Sequence, residues 1–185
     1  MASLPHPRTV TYEEWLRMPE VSEGIEEVVN GEIRQLPPPK WIHAEIIENI
    51  ADAMRAQVDR QRIKIRISLF GLVIRKRPLT TRVPDLAVFD TASLVEQDGY
   101  IHSAPLLIVE VLSRANRPTE RAGKLADYAE LGVPEVWLFS PESRSVEVLL
   151  LENREYRSSS EPAAAVLTPT FLPPVRIDIA AVWPR

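Results

Sequence analysis

Two apolar segments, residues 83–89 and 106–112, constrain the fold of this chain more than any other feature. Nearly unbroken apolar runs of this length are typical of central strands covered on both faces of a sheet. Each run contains a carboxylate, Asp85 after Pro84 in the first and Glu110 in the second. A carboxylate on a buried strand is costly unless a cation or a hydrogen-bond donor compensates it. If the two runs are neighbouring strands, a divalent metal is the natural compensator. There are alternatives to a metal site. Asp85 could simply mark the start of a strand, and Glu110 could form an ion pair with an arginine.

The remaining pattern alternates between helices and strands. Thr11 with Glu14 forms a capping-box pattern that predicts a short helix at 11–18. Asn30-Gly31 is typical of a tight turn and predicts a hairpin of residues 25–29 and 32–36. Periodicity predicts helices at 41–60 and 119–132, and strands at 63–67, 72–75, 135–139 and 146–151. This order predicts an α/β (α+β) fold, a mixed central β-sheet flanked by helices, with an N-terminal helix and β-hairpin.

Length and composition narrow the class of protein. At 185 residues the chain fits a single domain, 1–185, in which residues 1–10 are expected to be a flexible N-terminus. The absence of cysteine excludes thiolate metal sites and cysteine nucleophiles. Because no signal peptide or membrane-spanning run is evident, we expect a soluble cytoplasmic protein without membrane contact. A net charge of −4 argues against binding to nucleic acid through a broad positive field.

Hydrolysis of a phosphodiester needs a metal that activates water and a cation near the phosphate. Hard oxygen ligands suit Mg²⁺, which usually takes one or two carboxylates together with waters and substrate oxygens. Asp85 and Glu110 could supply two such carboxylates, and the backbone carbonyl of Val111 a third oxygen.

Over residues 12–173 the chain resembles the Uma2 family (DUF820) of proposed endonucleases, members of the PD-(D/E)XK nuclease superfamily. The resemblance rests on an ordered set of short motifs, each weak alone. They are EVVNGEI at 27–33, His43, PDL at 84–86, IVEVLS at 108–113, KLADY at 124–128 and GVPEVWL at 132–138.

The resemblance implies a restriction-endonuclease-like core in which Asp85 and Glu110 bind the metal. The superfamily usually has a lysine two residues after the second acid, where this chain has Leu112. The family match moves that catalytic role to Lys124 on the following helix. Helical spacing would then place Arg121 and Tyr128 on faces related to that of Lys124.

Further residues follow from the same resemblance. Glu27 on the hairpin and His43 at the start of the long helix are expected as accessory site residues, although Glu26 leaves open which glutamate points inward. The segment 113–121 departs from the family's usual Ser-Pro-Ser-Thr run, and its arginines Arg114 and Arg117 are candidates for phosphate binding.

The leading functional hypothesis is therefore an enzyme, an endonuclease that uses Mg²⁺ (or Mn²⁺) to hydrolyse DNA. A homodimer would suit cleavage of both strands of a duplex. The alternative is a catalytically inactive module that keeps the nuclease fold for nucleic-acid binding or interaction. A glycoside hydrolase with Asp85 and Glu110 as acid and base is disfavoured, since only 6% of residues are aromatic and Lys124 would have no role.

Overall fold

A six-stranded mixed sheet forms the centre of the structure. The structure is a computed structural model and describes residues 9–19, 24–68, 70–113, 118–159 and 165–184. The helices are α1 Tyr12–Trp15, α2 Trp41–Arg55, α3 Pro118–Leu131 and α4 Ile179–Val182. The first eight strands are β1 Ile25–Val29, β2 Glu32–Leu36, β3 Ile63–Ile67, β4 Leu72–Lys76, β5 Leu79–Arg82, β6 Leu86–Asp90, β7 Glu96–Gln97 and β8 Tyr100–Ile101. The others are β9 Leu107–Val111, β10 Glu135–Ser140, β11 Ser145–Glu152, β12 Glu155–Ser158, β13 Val166–Leu167 and β14 Ile177–Asp178.

The two apolar segments are central strands, as their sequences predicted, and they are neighbours in the sheet. The sheet has the order β12-β11-β10-β9-β6-β3, in which β6 and β9 run antiparallel. All of β9 is buried, and so is β6 up to Phe89. β9 and β10 are parallel and are connected through α3, because a parallel pair requires a crossover connection. The mixed sheet with flanking helices confirms the predicted α+β class.

Each face of this sheet packs against a different apolar layer. On one face, α2 and the C-terminal segment cover side chains of β6, β9 and β10 that include Val88, Val109 and Trp137. On the other face, a second apolar cluster contains Tyr128 of α3 and Phe89 of β6. The large helices therefore lie on opposite sides of β6 and β9, which brings residues of both helices to the ends of these strands.

The predicted hairpin is present with the predicted register, Val28 facing Ile33. It docks on β5, whose buried threonines accept its backbone N–H groups: Thr81 Oγ1 lies 2.9 Å from Val28 N, and Thr80 Oγ1 3.2 Å from Asn30 N. Strand β5 was not predicted, because the run Leu-Thr-Thr-Arg is too polar to indicate a strand that is buried throughout.

Three predicted boundaries were wrong. Helix α1 covers only Tyr12–Trp15 of the predicted 11–18. Helix α2 ends at Arg55, short of residue 60; beyond its end, the Gln57 amide donates to the carbonyls of Ala53 and Arg176, the latter far along the chain. The strand predicted from residue 83 begins at Leu86, since Pro84 has no N–H and the Val83 N–H donates to the Glu27 carboxylate. No helix in the described part of the chain is long and apolar enough to cross a membrane.

Gly31 in the hairpin turn offers a test of how the segment before α1 is held. Its φ is +83°, and an added Cβ would lie 2.7 Å from Cβ of Thr9. We expect Gly31→Ala to lower the free energy of unfolding by about 2–3 kcal/mol, since left-handed strain and overpacking both contribute. Urea denaturation measures this loss.

Gly99 is the matched control, because its φ is +81° and an added Cβ would meet nothing within 4 Å. Gly99→Ala should lose only the conformational part, about 1 kcal/mol. Equal losses for the two variants would contradict the packing of Thr9 against the turn.

Candidate active site

The strand register brings Asp85 and Glu110 together at one end of the β6–β9 pair. Leu86 pairs with Val109, so Asp85, the residue before β6, stands opposite Glu110. Opposed residues of an antiparallel pair point to the same face. Asp85 Oδ1 lies 3.0 Å from His43 Nε2, and the Val111 N–H donates to Oδ2 over 2.8 Å. His43 near the start of α2 is thus part of this site.

Helix α3 brings two donors to the second acid. Lys124 Nζ lies 2.9 Å from Glu110 Oε2, and the Tyr128 hydroxyl donates to Oε1 over 2.5 Å. Residues four apart share a helix face, so both side chains reach the same carboxylate. Lys124 therefore faces Glu110 from α3.

Glu27 is the inward-pointing member of the hairpin pair and is only 2% exposed. Its Oε1 accepts the Val83 N–H over 3.0 Å and lies 3.6 Å from Lys124 Nζ, while Oε2 accepts from Arg82 Nη1 over 2.7 Å. Arg82 also contacts Asp127 of α3, with Nη2 2.6 Å from Oδ2. The hairpin, β5 and α3 are thereby joined through buried charges.

Sequence reasoning missed Arg82 and Asp127. A buried Glu27 needs a cation, which was the available signal, but nothing in the sequence distinguished Arg82 from the other arginines. Arg75 of β4 extends the network, because it contacts Asp127 Oδ1 at 3.4 Å and Asn30 Oδ1 at 2.6 Å and also binds Glu130. The site is thus supported by two arginines.

The environment shifts the pKa values of the buried groups. Burial outweighs the attraction of Lys124 and, with repulsion from Asp85, raises the pKa of Glu110 to about 7. Burial alone would lower the pKa of Lys124, but the charges of Glu110, Glu27 and Asp85 raise it above its usual value. Burial and the nearby Glu110 charge raise the pKa of Tyr128. At neutral pH, Lys124 is therefore a cation and Tyr128 a neutral hydrogen-bond donor.

The raised pKa of Glu110 predicts a pH dependence of stability. Because the folded-state pKa of about 7 exceeds the ordinary 4.5, this group stabilises the fold at low pH, and the contribution is lost as the pH rises towards 7. In EDTA, the unfolding free energy of the wild type should fall between pH 4.5 and 8 by about 3 kcal/mol more than that of Glu110→Gln. Urea denaturation at both pH values measures the difference. Parallel pH profiles would contradict the shift.

Of the three predicted arginines, the structure describes Arg121. Arg121 is exposed on the first turns of α3. Arg114 and Arg117 lie outside the described residues. At Val111 the observed contact is the N–H with Asp85, so the carbonyl remains a predicted ligand only.

The donor chemistry of the acid pair fits a divalent cation. Asp85 and Glu110 offer hard carboxylate oxygens at neighbouring positions, and their mutual repulsion is one cause of the raised Glu110 pKa. Within the described ranges, no three His, Cys, Asp or Glu side chains are grouped closely enough to hold a metal ion. Two carboxylates suit Mg²⁺, which commonly keeps several waters.

Comparison with known proteins identifies the family of the chain. Residues 12–180 match the model of the Uma2 family, which is described as "putative restriction endonuclease". The chain belongs to the Uma2 family. Restriction-endonuclease-like proteins such as those of Uma2 generally use divalent metals. No curated protein matches the chain.

A solved structure supports the Uma2 assignment. The chain is similar to a crystal structure described as "a putative nuclease belonging to DUF820 from Anabaena variabilis ATCC 29413", with 25% sequence identity and a TM-score of 0.74. The match covers 94% of this chain and 97% of the other. Family and fold therefore both indicate a nuclease.

Proposed function

We propose that the protein is a divalent-metal-dependent endonuclease that hydrolyses DNA phosphodiester bonds. The observation that carries the proposal is the convergence of three groups: Asp85 opposite Glu110 in the strand register, with Lys124 Nζ 2.9 Å from Glu110 Oε2. Two acids that can hold a metal, with a cation beside them, suit metal-assisted phosphodiester hydrolysis. Membership of Uma2 and the nuclease neighbour support the same reaction class.

In this proposal Asp85 and Glu110, with the Val111 carbonyl, hold Mg²⁺ or Mn²⁺. When bound, the ion would polarise the scissile phosphate and lower the pKa of the attacking water. The protein orients its two acids in advance, because His43 and the Val111 N–H hold Asp85 while Tyr128 holds Glu110. His43 and Tyr128 would thus be accessory residues that fix the orientation of the two carboxylates.

Lys124 would stabilise the negative charge that develops on the attacked phosphate, or orient the water. Its side chain is 21% exposed and that of Asp85 19%, whereas that of Glu110 is 9% exposed. A substrate phosphate would therefore approach from the side of Lys124 and Asp85, leaving Glu110 at the back of the site.

DNA binding in this proposal relies on local cations, since the net charge of the chain is −4. Arg121 is exposed near Lys124 on α3, and Arg114 and Arg117 precede this helix in the sequence. We propose that these arginines contact phosphates and that a homodimer positions two sites on a duplex. Light scattering at several concentrations tests the dimer.

Incubation of supercoiled plasmid with the purified protein tests the function. Nicked and linear products should form with Mg²⁺ or Mn²⁺ and disappear with EDTA, and Asp85→Ala should abolish them.

The alternative, an inactive DNA-binding module, draws support from one observation: all four oxygens of Asp85 and Glu110 already accept protein donors or contact His43. DNA binding without cleavage for any metal or DNA form would overturn the nuclease proposal in favour of this module.

A further inference from the structure

Lys124 lies between two buried carboxylates. Its Nζ is 2.9 Å from Glu110 Oε2 and 3.6 Å from Glu27 Oε1. Glu27 is held in place by Arg82 and the Val83 N–H. The lysine has a long flexible side chain, so it can move between the two acids more readily than Glu27 can move towards it.

The oxygen that Lys124 contacts is also the one that the proposed metal site needs. Tyr128 occupies Glu110 Oε1 at 2.5 Å, which leaves Oε2 as the oxygen shared between the metal and the lysine. Two cations at one desolvated carboxylate repel each other strongly, because screening is weak in a buried site. Binding of a divalent ion at Glu110 would therefore push the Lys124 ammonium away from Oε2.

Glu27 has negative charge available for that ammonium. Arg82 carries one positive charge but contacts both Glu27 and Asp127. Arg75 contacts Asp127 but also Glu130, so the two guanidinium groups face three carboxylates. In this network Glu27 is not fully neutralised by Arg82 alone. Nearby opposite charge stabilises a buried cation.

We propose that Glu27 is a positioning residue that accepts the Lys124 ammonium when a divalent metal takes Glu110. Lys124 is then a competitor of the metal in the metal-free protein, and Glu27 keeps the lysine beside the site in the metal-loaded one. Glu27 itself is not a metal ligand. The inference rests on the proposed metal site at Asp85 and Glu110 but makes a separate claim about the lysine.

Mn²⁺ affinity measured by calorimetry without DNA tests the proposal in a double-mutant cycle. Lys124→Met, which removes the competitor, should bind Mn²⁺ about 10-fold more tightly than the wild type, and Glu27→Gln about 5-fold more weakly. In the Lys124→Met background, Glu27→Gln should change the affinity by less than about twofold, because no lysine remains to be accepted. Glu26→Gln is the matched control for the charge change, since successive strand residues point to opposite faces, and it should leave the affinity unchanged.

The possible outcomes separate the two proposals. If Glu27→Gln weakens Mn²⁺ binding both in the wild type and in Lys124→Met, Glu27 is a direct ligand and the inference is overturned. Unchanged affinity of Lys124→Met would overturn it as well, and this variant leaves Glu27 intact if Glu27→Gln fails to fold. The metal site of the proposed function would be overturned, together with the inference, by either of two results. One is that Asp85→Asn binds Mn²⁺ as tightly as the wild type does, and the other is that no variant binds Mn²⁺.

Discussion

Lys124→Met is expected to slow plasmid cleavage by about 10³-fold at saturating Mn²⁺, since a preorganised charge at the developing oxyanion contributes on this scale. Single-turnover rates measure the loss. Saturation with metal is essential, because the same substitution is expected to strengthen metal binding. A variant that binds Mn²⁺ more tightly and yet cleaves far more slowly would show that the lysine acts on the phosphate or the water, and not through metal affinity.

Lys64→Met is the matched control for this change. Lys64 lies on β3 opposite Phe89, away from the acid end of β6, and its amine donates to the Arg60 carbonyl. Its removal should alter the cleavage rate by less than about twofold. Retention of more than a tenth of the wild-type rate by Lys124→Met would remove the lysine from the proposed mechanism.

Arg82→Met is expected to lower the free energy of unfolding by about 3–5 kcal/mol, because it removes the cation that two buried carboxylates share. Arg82 is 5% exposed and contacts Glu27 and Asp127 at 2.6–2.8 Å. Urea denaturation at pH 7.5 measures the effect.

Arg62→Met provides the comparison at the surface. The Arg62 side chain is 73% exposed and its Nε lies 3.6 Å from Asp90, so its loss should change the unfolding free energy by less than about 1 kcal/mol. Adding Glu27→Gln to Arg82→Met removes one uncompensated charge and should restore part of the stability. Similar losses for Arg82→Met and Arg62→Met would contradict a structural role for the buried network.

The sequence predicted those parts of the site that depend on local pattern. The acids stood out because each interrupts an apolar run, and the hairpin because Asn30-Gly31 favours one turn type. Lys124 required the family resemblance, since a single lysine on a helix is usually solvated. The structure then brought its amine to Glu110.

The parts that sequence could not predict depend on contacts distant along the chain. Whether Glu26 or Glu27 points inward is decided by how the hairpin docks on β5, a strand that has no apolar pattern. The choice of Arg82 as partner of Glu27 requires that same docking. The end of α2 likewise involves a hydrogen bond from Gln57 to Arg176. None of these contacts leaves a periodic signal.

The pairing of β6 with β9 has a consequence for which changes in chain length the site tolerates. Asp85 meets Glu110 only in the register that sets Leu86 against Val109. One residue inserted within β6 would turn the segment before it to the opposite face and carry Asp85 away from Glu110. One residue inserted after Asp90, in the turn at 91–93, would lengthen the connection and leave the register unchanged. Between Asp85 and Glu110, viable length variation should therefore be confined to the connection that follows β6 and precedes β9.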